Sequence, residues 1–236
     1  MKSVAIFQHF RTEGPGYFAT FLECHGIPWR LVRIDQGEAV PASAHDFGGL
    51  VFMGGPMSVN DDLAWIAPVL ALIRDAVASD VPVLGHCLGG QLMSKALGGT
   101  VGANPVKEIG WGEVTVARSA EAQRWFGPAG AAFRSFHWHG ETFTIPPGAQ
   151  LLASSTYCVN QAFAIGPHLG MQCHIEMTSE MIASWCESGA REIERSSDSP
   201  GVQQPAEIKT DLDARLAGLH AVADSVYAQW IENLKR

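Results

Sequence analysis

Short apolar runs alternate along this chain with segments in which apolar residues recur every three or four positions. In the first hundred residues the runs predict strands, and the periodic segments between them predict helices. Such alternation is typical of an α/β fold with a mostly parallel sheet and helices on both faces. The predicted strands are 3–7, 29–34, 49–53 and 81–84; the predicted helices are 17–24, 63–79, with Asp61 and Asp62 as caps, and one from 88 to a stop at 98–99.

The second half of the chain is richer in predicted strands. Thr178, Ser179 and Glu180 form a capping signal for a helix to about residue 187. The polar segment 196–205 predicts a flexible loop, and leucines at helical spacing predict a closing helix over 206–234. A chain of 236 residues with 47% hydrophobic composition is expected to form one domain over 1–236. The remaining predicted elements are strands 112–117, 132–138, 151–154, 161–165 and 170–174, and a helix over 120–126.

Cys87 stands where a predicted strand turns into a predicted helix, within the run VPVLGHCLGGQLMSKALGG at 81–99. A strand that becomes a helix within one residue needs small neighbours, which Gly85 and the pair Gly89-Gly90 supply. A thiol at a helix N-terminus is favoured as thiolate, and the backbone N–H of Leu88 would face an oxyanion formed by its attack. The pattern predicts a nucleophile elbow. The alternative is a buried structural cysteine, a common core residue.

A glycine pair follows another predicted strand on the same side of the sheet. Because the carboxyl ends of parallel strands meet at one edge, Gly54-Gly55-Pro56 is expected to lie near Cys87. An exposed N–H of Gly55 could then be the second oxyanion donor. A plain glycine turn is the alternative interpretation.

A thiol nucleophile needs a base, and the base needs a partner that orients it. His174 and Glu176 are two residues apart on a predicted strand, so both side chains would lie on one face within hydrogen-bonding reach. The alternative is a partly exposed pair at a strand end. His137 and His139 share a strand face as well, and His174 could be imagined with them as a metal site. The sequence gives no defined position for a third ligand, however, so no metal is expected.

Charge and cysteine usage exclude several classes of protein. The net charge is −8 and no long cluster of Lys or Arg occurs, so neither nucleic acid nor a membrane surface is an expected partner. We expect a cytoplasmic protein, because no apolar leader or membrane-length apolar run is present. Five scattered cysteines without C-x-x-C spacing indicate reduced thiols.

Taken together, these motifs are similar to a known family. G-H-C-L-G-G-Q at 85–91 with H-x-E at 174–176 resembles the class I, or triad, glutamine amidotransferases. Four further motifs look like the free-standing, GMP-synthase-like branch of that family, and the resemblance covers roughly residues 3–190. These motifs are 53–57, 107–111, 139–141 and 161–163.

The resemblance implies a flavodoxin-like α/β fold with a small antiparallel addition, and glutamine as the nitrogen donor. It implies no cofactor. The residues to which it assigns roles are Cys87 as nucleophile, His174 as general base and then acid, Glu176 as its orienter, Gly55 and Leu88 as oxyanion donors, and Gln91, Trp138, Gly140 and Glu141 as substrate contacts.

The chain departs from the family pattern in two motifs and lacks a third. Trp138 stands where relatives usually have a small polar residue, Cys173-His174-Ile175-Glu176 replaces F-H-P-E, and no S-G-G-x-D-S motif of a synthetase domain is present. Hydrolysis of the glutamine amide to release ammonia is the expected reaction. The alternatives are a γ-glutamyl peptidase acting on glutathione-like conjugates and an amidotransferase subunit active only with a synthetase partner.

Overall fold

The computed structural model describes residues 2–236, and one ten-stranded sheet runs through them. The strands are β1 (Val4–Gln8), β2 (Trp29–Arg33), β3 (Gly49–Phe52), β4 (Val83–His86), β5 (Val101–Val116), β6 (Ala132–Phe143), β7 (Gln150–Ser155), β8 (Ala162–Ile165), β9 (His168–Met171) and β10 (Gly201–Val202). The helices are α1 (Tyr17–Cys24), α2 (Ile66–Ala78), α3 (Leu88–Ala96), α4 (Ala120–Phe126), α5 (Ser179–Ser188), α6 (Ala190–Arg195), α7 (Pro205–Ile208) and α8 (Leu212–Ile231).

The sheet has a parallel half and an antiparallel half. Its order is β10-β5-β7-β8-β9-β4-β3-β1-β2, with β6 paired to β5. Strands β2, β1, β3, β4 and β9 are mutually parallel, whereas β5 to β9 are joined by antiparallel pairings. The expected α/β fold with an antiparallel addition is confirmed.

Helices cover both faces of the sheet, as the alternating pattern predicted. Along β1, Val4 and Ile6 belong to one apolar core, while Ala5 and Phe7 belong to the other. This period of two is the expected result for a strand buried on both sides. Helices α1, α4, α5 and α8 pack on the first face, and α2 and α3 pack on the second.

The antiparallel strands are longer than the apolar pattern predicted. Strand β5 begins at Val101 rather than Gly112, and β6 continues to Phe143. The register between them shifts between Ala103 and Glu108, a segment that contains Pro105. Proline has no N–H for the ladder, and the charged and glycine residues nearby break the alternation, so the sequence does not reveal this part of β5.

Three local predictions were wrong in detail. Helix α2 begins after Trp65 with no side-chain cap, and Asp61 instead accepts a hydrogen bond from the N–H of Ser58 at 3.0 Å. The closing helix is divided into α7 and α8, because Asp211 between them takes a left-handed conformation with φ of 50°. The predicted loop 196–205 contains β10, which pairs with β5.

Gln203 also ties this segment to the sheet. Its N–H donates to the carbonyl of Ile109 at 2.9 Å, and its Oε1 accepts from the N–H of Trp111 at 2.8 Å. The segment is therefore bound along β5 rather than free. Within residues 2–236, none of the helices is long and apolar enough to cross a membrane.

Candidate active site

Cys87 forms the join between β4 and α3, as the elbow prediction requires. Its backbone has φ of 50° and ψ of −107°, a conformation that residues other than glycine rarely adopt. The N–H of Cys87 donates to Met171 at 2.8 Å, and its carbonyl accepts from the N–H of Gln91 at 3.0 Å. Such strain costs about 1–3 kcal/mol and is found mostly where the surrounding structure serves a site.

The glycines around Cys87 allow the chain segments to approach closely. A Cβ on Gly89 would lie 1.9 Å from the carbonyl oxygen of Phe52, and one on Gly90 would lie 2.4 Å from that of Met171. A Cβ on Gly85 would lie 2.5 Å from the backbone of Gly89 itself. No side chain fits at these three positions without backbone movement, which is the reason that the elbow needs glycine there.

His174 and Glu176 lie beyond the strand that was predicted to carry them. Strand β9 ends at Met171, and His174 instead forms an isolated bridge to Phe136 of β6, with its N–H 2.9 Å from the Phe136 carbonyl. The predicted strand placement is therefore wrong. The side-chain contact nevertheless forms, because His174 Nδ1 lies 2.6 Å from Glu176 Oε1.

Burial makes the electrostatics of this pair strong. Burial alone would lower the pKa of His174, but the charges of Glu176 and of the adjacent Cys87 outweigh it and hold that pKa well above the ordinary value. The pKa of Glu176 is lowered to about 2, because His86 and His174 overcome the effect of burial. An imidazolium–carboxylate pair is thus favoured beside the thiol.

His86 is a neighbour of this pair that the sequence did not reveal. Its Nε2 lies 3.7 Å from Glu176 Oε2 and 3.1 Å from the hydroxyl of Tyr227 on α8. The ring is fully buried behind the elbow. His86 and Tyr227 therefore form the back wall against which the Glu176 carboxylate is held.

Gly55 and Leu88 come together, as the sheet-edge argument predicted. A Cβ on Gly55 would lie 2.7 Å from Leu88 Cδ2, so the loop after β3 packs directly on the first residue of α3. Gly55 lines the same cavity as Cys87, whereas the Leu88 side chain is buried. The loop that carries Gly55 thus lies against the elbow, next to the residue that follows Cys87.

A cavity of about 580 Å³ opens above Cys87. The four residues expected to contact the substrate all line this cavity, so segments that are distant in sequence meet there. These residues are Gln91, Trp138, Gly140 and Glu141.

Hydrogen bonds connect this wall to the elbow. Gln91 Nε2 donates to Gln172 Oε1 at 3.2 Å and to the Glu141 carbonyl at 3.4 Å. Cys87 Sγ lies 3.9 Å from the Trp138 carbonyl oxygen and accepts from Gln172 Nε2 at 3.5 Å. Residue 138 therefore contacts the Cys87 thiol through its backbone carbonyl.

The Trp138 indole points to the cavity rim. Its Nε1 donates to Glu192 Oε2 at 2.9 Å, and its ring meets Trp185 edge-on with centroids 5.9 Å apart. Glu192 also pairs with Lys107. The indole thus fills one side of the cavity without displacing the backbone that faces Cys87.

His137 and His139 meet Glu108, and His174 is not part of this group. The three residues are buried, and their potential metal-ligating atoms lie within 4.8 Å of one another. His139 Nε2 lies 3.0 Å from Glu108, whose carboxylate also accepts from Ser155 and Gln161 at 2.9 Å each. These hydrogen bonds satisfy the carboxylate, whereas His137 Nε2 has no hydrogen-bond partner within residues 2–236.

The sequence did not indicate a site role for several polar residues of the cavity, among them Glu13, Lys107 and Glu192. Glu13 lies in the loop after β1, so the rule that placed Gly55 at the carboxyl edge of the sheet applies to it as well. Lys107 lies in the first part of β5, where the apolar pattern did not predict a strand. Glu192 lies on the short helix α6, for which no periodicity was recognised.

Known proteins resemble this chain in sequence and in fold. The family profile described as glutamine amidotransferase class-I matches residues 20–184. The glutamine amidotransferase-like protein YfeJ of Salmonella typhimurium is 29% identical over 85% of this chain and 87% of its own. Gamma-glutamyl peptidase 3 of Arabidopsis thaliana is 31% identical over 71% of each chain.

A solved structure extends the likeness to the whole fold. The glutamine amido transferase of Methylobacillus flagellatus superposes with a TM-score of 0.96 at 46% identity, and the match covers 100% of this chain and 96% of that one. The family profile spans more than half of the residues of this chain. The chain therefore belongs to the class-I glutamine amidotransferase family.

Proposed function

We propose that this protein hydrolyses the γ-carboxamide of glutamine or of a γ-glutamyl compound through a thioester on Cys87. The observation that carries the proposal is the position of Cys87, strained at the elbow, open to the cavity and adjacent to the buried His174–Glu176 pair. A thiol, a base and an orienting carboxylate in contact are the minimum set for this chemistry.

In the proposed reaction, the Cys87 thiolate attacks the γ-carbonyl carbon and forms a tetrahedral oxyanion. Backbone N–H groups of Gly55 and Leu88 stabilise that oxyanion, each contributing about 3–4 kcal/mol. His174 protonates the leaving nitrogen as the C–N bond breaks, which leaves a γ-glutamyl thioester. His174 then takes a proton from water, the resulting hydroxide attacks the thioester, and glutamate leaves with the thiolate restored.

The substrate's glutamyl end is proposed to lie along the wall formed by Gln91 and residues 138–141. The wall is fixed before substrate arrives, since Gln91 bonds to the Glu141 carbonyl and His139 Nδ1 lies 3.0 Å from the same oxygen. A pre-formed wall loses little conformational entropy on binding.

The test is ammonia release from glutamine together with covalent labelling by an electrophilic glutamine analogue. Cys87→Ala is expected to abolish both, while Cys24→Ser, which changes an exposed cysteine, is expected to retain both. An unchanged glutaminase rate in Cys87→Ala, or labelling of the other cysteines alone, would contradict the proposal.

A γ-glutamyl peptidase is the second candidate. A cavity of about 580 Å³ exceeds what a glutamine side chain needs, and a relative that the chain matches over 71% of its length is named a γ-glutamyl peptidase. Comparison of kcat/KM for glutamine and for γ-glutamyl dipeptides decides between them. A preference for glutamine above about a hundredfold, or about 2.7 kcal/mol, would remove this candidate.

We also propose that the protein is active without a synthetase partner. The loop that carries Gly55 is already fixed, since Lys95 Nζ donates to the Val59 carbonyl at 2.7 Å and Ser58 Oγ donates to Glu141 at 3.1 Å. A loop set by its own chain does not need partner docking to form an oxyanion site. Activation of the isolated protein by a synthetase, from a negligible basal rate, would show that a partner is needed.

A further inference from the structure

Glu13 places a carboxyl group in the cavity that the proposed reaction does not use. Its Oε2 lies 2.1 Å from the point where a Cβ on Gly54 would be, and His174 Cε1 lies 3.3 Å from that same point. Glu13 also lines the cavity together with Cys87. The carboxyl group therefore lies beside the edge of the imidazole that would protonate the leaving nitrogen.

The loop that carries Glu13 is held in place by the segments around the predicted triad. Trp185 Nε1 donates to the Thr12 carbonyl at 2.9 Å, and the N–H of Tyr17 donates to the Glu176 carbonyl at 2.8 Å. A Cβ on Gly16 would lie 2.2 Å from that same Glu176 carbonyl oxygen. Glu13 is thus presented by a rigid loop rather than a mobile one.

Within residues 2–236, the Glu13 carboxylate has no hydrogen-bond donor or ion-pair partner of its own. The pKa of Glu13 is raised to about 7, mainly by burial; the charge of His174 opposes this rise, and the charges of Glu176 and Glu192 add to it. A desolvated carboxyl group without a protein donor is stabilised by a cation that enters the cavity.

The rest of the cavity carries the same sign of charge. Its acidic residues are Glu13, Asp61, Glu141 and Glu192, and Lys107, its basic side chain, pairs with Glu192. Among the described residues that line the cavity, no unpaired Lys or Arg is available to receive a leaving group that bears a carboxylate, so such a substrate would face an acidic surface. A leaving amine with a positive charge would be attracted.

We propose that Glu13 is the specificity-determining residue for the leaving amine, and that the cavity selects γ-glutamyl amides whose leaving group is cationic over those whose leaving group ends in a carboxylate. The proposal rests on the proposed function and names the substrate class of the same site. When the C–N bond breaks, His174 supplies the proton to nitrogen, and the carboxylate of Glu13 pairs with the positive charge of the departing amine.

Three amides whose leaving amines each contain two carbon atoms test the proposal: γ-glutamyl-ethylenediamine, γ-glutamyl-ethylamine and γ-glutamyl-glycine, whose tails are positive, neutral and negative. The wild-type kcat/KM is expected to fall in that order, by about tenfold or more between the extremes. Glu13→Gln keeps the shape and removes the charge, so it is expected to bring the three values within about threefold of each other, mainly through KM.

Two further variants control the result. Glu13→Asp, which keeps the charge, is expected to retain the order, and Glu23→Gln on the exposed face of α1 is expected to change nothing. If glutamine is hydrolysed and Cys87 is labelled but Glu13→Gln leaves the ratio unchanged, the role of Glu13 is wrong and the proposed function stands. If the wild-type protein cleaves no γ-glutamyl compound and Cys87 is not labelled, the proposed function fails and the role of Glu13 fails with it.

Discussion

His174 Nδ1 lies 2.6 Å from Glu176 Oε1, although both residues lie beyond the end of the strand that leads to them. The contact is set from outside that strand. Phe136 of β6 holds the His174 backbone, and the N–H of Tyr17 holds the Glu176 carbonyl at 2.8 Å. The pair therefore depends on two segments distant in sequence, and four predictions follow from it and from its surroundings.

Glu176→Gln is expected to lower the pKa of His174, because the variant removes the negative charge that opposes burial. A group with a raised pKa stays protonated to higher pH, so the wild-type alkaline limb of kcat/KM should lie well above pH 6.5, the ordinary value for histidine. The limb should move to lower pH in the variant. A pH profile of kcat/KM and an NMR titration of His174 measure this shift, and Glu180→Gln serves as a control at an exposed glutamate. An alkaline limb at the same pH in Glu176→Gln and wild type would contradict the role of Glu176.

Gly89→Ala and Gly90→Ala are expected to destabilise the protein, since each new Cβ would lie 1.9 or 2.4 Å from a backbone carbonyl oxygen. Overpacking of this kind costs about 1–3 kcal/mol or more. Gly218→Ala is the matched control, because nothing lies within 4 Å of its Cβ position on α8 and helix propensity favours alanine. Urea denaturation compares the three, and equal stability of all variants would show that close packing at the elbow is unimportant.

Glu108→Gln is expected to cost about 1–3 kcal/mol at pH 7, because a carboxylate that accepts from His139, Ser155 and Gln161 is lost from the interior. Burial would raise the pKa of Glu108, but the hydrogen bond from His139 and the nearby His137 outweigh it and lower the pKa. The stability contributed by a lowered pKa is present above the unfolded pKa and is lost as the pH falls through the folded one.

The difference between wild type and Glu108→Gln should therefore shrink as the pH falls below 4.5, the ordinary value for glutamate. Urea denaturation at pH 7 and in acid measures both proteins. Thr115→Val on the neighbouring part of β5 serves as a control outside the network. A difference that grows in acid would mean that Glu108 is buried in its neutral form.

Trp138→Ser is expected to retain labelling of Cys87, since the hydrogen bond of Sγ to residue 138 is made with the backbone carbonyl. The indole contacts with Glu192 and Trp185 are lost, so the rim of the cavity opens. KM for amides with apolar leaving groups should rise, and kcat for glutamine should change less. Steady-state kinetics with γ-glutamyl-ethylamine and glutamine separate the two effects; loss of labelling would place the indole itself at the reacting centre.

Several elements could be predicted from the sequence because their signals are local. Helix α1 has the predicted bounds Tyr17–Cys24, since its apolar face recurs at helical spacing and Gly26 stops it. The elbow was predicted because a short apolar strand, a cysteine and closely spaced glycines in succession are typical of a sharp strand-to-helix turn. Thr178 caps α5 by accepting from the N–H of Met181, as the side-chain chemistry of a helix start requires.

The sequence by itself therefore determined the first four strands of the parallel half, the elbow and the residue types of the predicted triad, because each follows from periodicity or from a short motif. The tertiary structure alone decided how His174 is held, since its partner Phe136 lies in another strand. It also decided that Glu108 meets His139, and that Glu13 enters the cavity. Contacts between segments far apart in sequence leave no local pattern, because they depend on how the sheet is ordered and on which loops meet at its edge.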